Sequence, residues 1–324
     1  MSSHSWGQSA GAISIGLHLV ANGGNNEGLF RGAFMESGSP DLLPDLLAGQ
    51  SDYDALVQAT GCQTSRDTLE CLRHAPFDVL KTAVDQTPSF LTARSLNFVW
   101  TPGIDGRLFK DSPFQSVVDG HIANVPFATG DCDDEGTAFT MALLNITTDE
   151  EVREFMSSDY LPKSSLADID RLLVLYPQDP ALGSPFDTGD LNELTPQFKR
   201  LAALQGDLVF QAPRRFLLEH RSDKQKAFAF LSKRFKDTPN LGSSHGTDVQ
   251  LAYGQTDFTD YIVNFVHNLD PNGPTVPEWP QYSTKAPQLM TLLDGPVPIN
   301  ITLDTFREEP MAFMQQLALV NPVV

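Results

Sequence analysis

Two apolar periods alternate along the chain. After the polar lead "MSSHSW", Ala10, Ile13 and Leu17 fall at helical spacing, and Gly23-Gly24 is a natural stop. The string "FRGAFMESGSP" is a short apolar run closed by Ser, Gly and Pro, which predicts a strand. Helical spacing returns in "DYDALVQATG", "TLECLRHA" and "FDVLKTAVD". "LNFVWTPGIDGRLF" reads as strand and turn, and "NVPFATGD" as a buried strand. Helices are predicted in "TTDEEVREFM" and "LADIDRLLVLY", and a long one in "TPQFKRLAALQGDLVFQAPRRFLLEHR". Beyond it come a strand at "KAFAFLSKRF" and a helix at "DFTDYIVNFVHNL". Two late strands, "QLMTLL" and "VPINITL", precede a closing helix at "FREEPMAFMQQLALV". Strands alternating with helices predict an α/β fold with a mostly parallel sheet flanked by helices. No repeat or linker divides the chain, so residues 1–324 are expected to form one domain.

Composition narrows the function classes. A net charge of −19 argues against nucleic acid, because phosphate binding needs clustered Lys and Arg. The acidic excess reads as a solubilising surface. No apolar run reaches the roughly 18 residues of a membrane span. The three cysteines leave at least one without a partner in this chain. Two N-x-T sequons, at Asn145 and Asn300, and a short Cys62 to Cys71 spacing together favour an oxidising, secretory history. The first residues nevertheless carry neither the basic stretch nor the apolar run of a signal peptide. The chain is therefore expected to be a fragment, or else not secretory.

Catalytic groups of α/β proteins gather at the carboxyl ends of the strands, and three predicted strand ends carry reactive residues. Gly7-Gln8-Ser9-Ala10-Gly11 is a G-x-S-x-G at the head of a helix, where small residues relieve a strained turn. Glu135 follows "NVPFATGD", and His245 lies in "NLGSSHGTD" after "KAFAFLSKRF". Ser, acid and His stand in the order used by serine hydrolases of this fold class. Ser9 needs His245 to take its proton, and Glu135 would hold the imidazole in the right tautomer. The Ala10 N–H would face a developing oxyanion. Asp131, Asp133 and Asp134 compete with Glu135 as acids, and His4 and His18 are nearer Ser9 in sequence. His245 and Asp248 lack a further histidine or cysteine at metal-ligand spacing, so no metal site and no cofactor is expected.

On these strings the chain resembles the type B carboxylesterase/lipase family, and within it the fungal branch of Candida rugosa and Geotrichum lipases. "GQSAG", "GCQTSRDTLECLR", "GDCDDEGTAF" and "GSSHGTD" carry the resemblance, with the stretch from "SPFDTGD" to "RRFLLEH" and the C-terminal "FREEPMAFM". It implies an α/β-hydrolase fold with Ser9, Glu135 and His245 as catalytic triad. It implies a Cys62–Cys71 disulfide and an acyl site touching Phe90, Leu91 and Phe139. The implied substrates are acylglycerols or other lipophilic carboxylic esters, met at a lipid–water interface, and the implied full-length protein is secreted. Two features depart from the pattern. Gln8 stands where the family usually has Glu, and the family's N-terminal half has no counterpart here, with "MSSHSW" in place of an apolar strand. The implied sheet is therefore cut at the elbow strand, with weakened activity. The competing reading is an inert fragment, or a non-catalytic interaction protein like the cholinesterase-like adhesion molecules.

Overall fold

The computed structural model describes residues 3–89, 92–96 and 98–321. Six strands form one sheet in sequence order: β1 (Ser5–Gln8), β2 (Ala33–Glu36), β3 (Phe127–Cys132), β4 (Ala227–Ser232), β5 (Gln288–Leu292) and β6 (Ile299–Leu303). The first five are mutually parallel and β6 is antiparallel to β5. Strands β2, β3 and β4 are buried at every position, which is why they read as continuous apolar runs and not as alternating ones.

Alternate strand residues feed two cores. Ala33, Met35, Phe127, Ala229 and Leu231 pack with α1 (Ala10–Val20) and with Phe216 and Leu217. Phe34, Ala128, Phe228 and Phe230 face the other way, onto Phe258, Tyr261, Phe265 and Trp279. Gly130 sits opposite Phe230 in the β3–β4 register, and a Cβ there would lie 2.2 Å from the Phe230 ring. That close approach requires glycine.

Three expectations change. The polar lead does not replace a strand: Ser5–Gln8 pairs in parallel with Ala33–Glu36, because backbone hydrogen bonds hold an edge strand whatever its side chains. The strand expected within residues 96–109 is absent among the described residues. The Asp105 carboxylate there accepts the N–H groups of Arg107, Leu108 and Phe109, and the turn leaves only a single bridge from Ile104 to Asp45. The long helix is continuous over 198–221 but contains a π-helical turn, Asp207–Gln211. Pro213 follows that turn and has no N–H for the carbonyl four residues back.

A buried ionic knot ties this helix under the sheet. Arg214 binds Asp131 of β3 at 2.8 Å and Asp304 at 2.8 Å, and Arg215 binds the same Asp304 at 2.7 Å. Burial alone would raise the Asp304 carboxyl; the two guanidinium groups outweigh it and hold it well below the usual carboxylate range. Its contribution to stability is thus present above the ordinary carboxylate range and is lost as pH falls below it. Arg214→Ala would leave Asp131 buried without its cation. It is expected to cost about 3–5 kcal/mol, read as a lower denaturant midpoint in equilibrium unfolding.

Candidate active site

Ser9 joins β1 to α1 with φ 58° and ψ −127°, a conformation that a non-glycine residue holds only under constraint. Its backbone N–H is fixed to the Glu36 carbonyl at 2.9 Å. Gly7 is the glycine this turn needs, since a Cβ on it would lie 2.7 Å from the Gly11 carbonyl carbon; Gly11 itself borders open space. Gly38 is equally confined, 2.9 Å from the Ser9 carbonyl oxygen. Ala10 opens α1 and is exposed, so its N–H is one of the first-turn amides with no intrahelical acceptor.

Glu135 and His245 reach Ser9 from the ends of β3 and β4. Their loops are stitched together by Asp134, which is fully buried. The Asp134 N–H donates to the Ser243 carbonyl at 3.0 Å, and the Ser243 N–H donates back to Oδ2 at 2.9 Å. Lys236 also donates to Oδ2 at 2.7 Å, while Ser184 Oγ and the Phe186 N–H fill Oδ1 at 3.1 and 2.8 Å. Glu135 Oε1 accepts the Cys132 N–H at 2.6 Å, which turns Oε2 toward the histidine.

The resulting chain is continuous. Glu135 Oε2 lies 2.5 Å from His245 Nδ1, and His245 Nε2 lies 2.7 Å from Ser9 Oγ. Burial alone would lower the His245 pKa; the Glu135 charge and hydrogen bond outweigh it, so it is raised above the ordinary histidine value. Ser9, Glu135 and His245, spread over the sequence, are therefore brought into one site. Phe139 stands 5.0 Å from the His245 ring, centroid to centroid, whereas Phe90 and Leu91 lie outside the described residues.

Several contributors were not legible in the sequence. Phe210 packs 4.7 Å from the His245 ring, beside Phe139 and 6.0 Å from it, and Gln211 Nε2 donates to the Cys132 carbonyl at 2.8 Å. Both belong to the π-turn, so a uniform helical reading gave them no special place. The Gln8 amide lies 3.3 Å from His245 Nε2, and Asp248 and Glu36 are buried nearby. Cys132 is a buried free thiol, 3.4 Å from Thr247 Oγ1, and Cys62 and Cys71 are joined as a disulfide. Asn145 and Asn300 are exposed.

Residues 5–313 match the Carboxylesterase family. The chain belongs to that family. It is 38% identical over 293 residues to Lipase 4 of Diutina rugosa, covering 87% of this chain and 53% of that protein. It is 38% identical over 306 residues to Secreted lipase 1 of Botryotinia fuckeliana, covering 89% of this chain and 53% of that protein. The chain thus spans about half the length of the curated relatives it matches. Aspergillus niger EstA, a solved structure, superposes with a TM-score of 0.79 at 22% identity, over 98% of this chain and 64% of that one. The α/β-hydrolase fold is shared with it.

Asp134→Asn keeps the shape but turns an amide N–H₂ toward groups that are themselves donors. It is expected to cost about 1–3 kcal/mol. Hydrogen exchange at the Ser243 amide should accelerate, while amides of β2 keep their protection; unchanged exchange at Ser243 would contradict the clamp.

Proposed function

We propose that this chain carries the catalytic apparatus of a carboxylic ester hydrolase, with Ser9 as nucleophile, His245 as base and Glu135 as the acid that orients it. The observation that carries the proposal is the unbroken chain of 2.5 and 2.7 Å contacts from Glu135 through His245 to Ser9. With Nδ1–H held on Glu135, His245 presents the Nε2 lone pair to the Ser9 hydroxyl. His245 takes that proton as Oγ attacks the ester carbonyl, and Ala10 N–H donates to the developing oxyanion. Collapse expels the alcohol, which receives the proton from His245. Water then repeats the sequence on the acyl-enzyme and frees the acid.

Phe139 and Phe210, packed together against the imidazole, give the reacting carbon apolar surroundings. Together with the lipase names of the relatives, they support lipophilic esters, acylglycerols among them, as the substrate class. Phe90 and Leu91 are proposed to extend that wall. The disulfide, the exposed Asn145 and Asn300 sequons and a relative named as secreted support an extracellular setting with glycans at both asparagines. There the enzyme would meet its substrate at a lipid–water interface. A single elbow amide stabilises an oxyanion less than a set of donors, each worth roughly 10²–10³ in rate. The 324-residue polypeptide should therefore hydrolyse activated short-chain esters far better than triacylglycerol. Robust triacylglycerol turnover by it would place further donors elsewhere in the chain.

Two measurements test the assignment. Ser9→Ala should abolish p-nitrophenyl ester hydrolysis and covalent labelling by an alkyl phosphonate, and Glu135→Gln should slow hydrolysis by about 10⁴-fold. Since His245 must be neutral to act and its pKa is raised, kcat/KM should climb with pH through a midpoint above the ordinary 6.5. A midpoint below that value, or labelling on a residue other than Ser9, would refute the assignment.

A further inference from the structure

More carboxyl groups surround His245 than the Ser9–His245–Glu135 chain uses. Glu135 is bound to Nδ1, and Asp248 and Asp131 are close enough to favour the protonated ring when they are ionised. Asp131 has its own cation in Arg214. Asp248 is fully buried; its Oδ1 takes the adjacent Val249 N–H at 3.1 Å, and Oδ2 has only a long contact to Ser37 Oγ at 3.5 Å. Glu36 lies beyond it, also fully buried. One Glu36 oxygen accepts the Trp6 indole N–H, and the other has no partner. Among the described residues no ion pair reaches it. A carboxylate buried without a cation and half satisfied is held in its neutral form. Burial and then the Asp248 charge push Glu36 up to about 8, and burial and then the Glu135 charge push Asp248 up to about 7.

Gln8 stands directly opposite Glu36 in the β1–β2 register, and its amide nitrogen is 3.3 Å from His245 Nε2. That nitrogen has one lone pair when Nδ1–H is on Glu135, and the Ser9 hydroxyl already points at it. A second donor there stabilises the neutral ring. A carboxylate in the same place would stabilise the imidazolium.

We propose that Gln8 and an uncharged Glu36 are positioning residues that set the protonation of His245: the amide donates to Nε2, and the neutral acid behind it leaves Glu135 as the dominant ionic partner. The base then stays free at near-neutral pH although the carboxyl groups of Glu135, Asp248 and Asp131 stand around it. The role given to Gln8 and Glu36 rests on the reading of His245 as base, but its test does not.

The test is an NMR titration of the His245 imidazole in the 324-residue chain, run beside phosphonate labelling of Ser9. Gln8→Glu should raise the His245 pKa by about one unit or more, which slows labelling about tenfold at about pH 6 and leaves it near normal at about pH 9. Glu36→Gln, which copies the neutral acid, should leave the His245 titration unchanged. The exchange Gln8→Glu with Glu36→Gln relieves two opposed carboxyls. It should fold if Gln8→Glu alone does not, and it should show the raised pKa. An unmoved His245 pKa with Glu at position 8 overturns the role of Gln8. A fall of about one unit in Glu36→Gln shows Glu36 to be charged and overturns its role. Wild-type Ser9 that resists labelling while these shifts occur would count against Ser9 as nucleophile and still support the charge setting.

Discussion

The pairing of β3 with β4 is the constraint on which the site depends. Their register runs from Phe127 opposite Ala227 to Cys132 opposite Ser232, so both strands end at the same level. The acid loop and the histidine loop therefore leave the sheet side by side. Asp134 closes the gap between them by exchanging two hydrogen bonds with Ser243. Glu135 follows Asp134 directly and His245 follows Ser243 by two residues, so that clamp sets their separation. A shift of one residue between the strands would move every loop contact and turn Gly130 away from the Phe230 ring it must clear.

Charge is distributed under the sheet according to whether a cation is at hand. Asp304 is buried and ionised because Arg214 and Arg215 both reach it, whereas at Asp131 burial outweighs the single Arg214 contact and pushes the carboxyl up to about 8. Asp134 has Lys236 and three further donors. Glu36 and Asp248 have none of these, and burial favours their neutral acids. Carboxyls joined to cations thus stand on one side of the site, and carboxyls without a cation stand on the other, toward the histidine.

Local irregularities of the backbone lie next to Ser9 and His245. Ser9 is held at positive φ by a backbone bond to Glu36 and by the close fit of Gly7 against Gly11. The π-turn at Asp207–Gln211 bends an otherwise regular helix so that Phe210 meets the His245 ring and Gln211 meets the Cys132 carbonyl. Each irregularity has a local cause, the confined Gly7 in one case and a proline in the other, and each aims a side chain at the same point.

Much of this was legible from local pattern. The continuous apolar runs of β2, β3 and β4, the glycine-flanked Ser9 and the reactive residues just after strand ends are short-range features, and they determine the α/β class and the Ser9, Glu135 and His245 candidates. The strand at Ser5–Gln8 was not legible, because an edge strand is held by backbone pairing and its polar side chains give no period. Nor was the loss of strand at 96–109, decided by one Asp105 carboxylate gathering three amides. The tertiary structure alone decided which carboxylate binds His245. Asp131, Asp133, Asp134 and Glu135 are neighbours in sequence, but Arg214 takes the first, Lys233 and Lys236 the second, and Lys236 with Ser243 the third. Only Glu135 is left to face the ring, because the cations that claim the others come from segments far along the chain, and sequence spacing carries no record of where those segments fold.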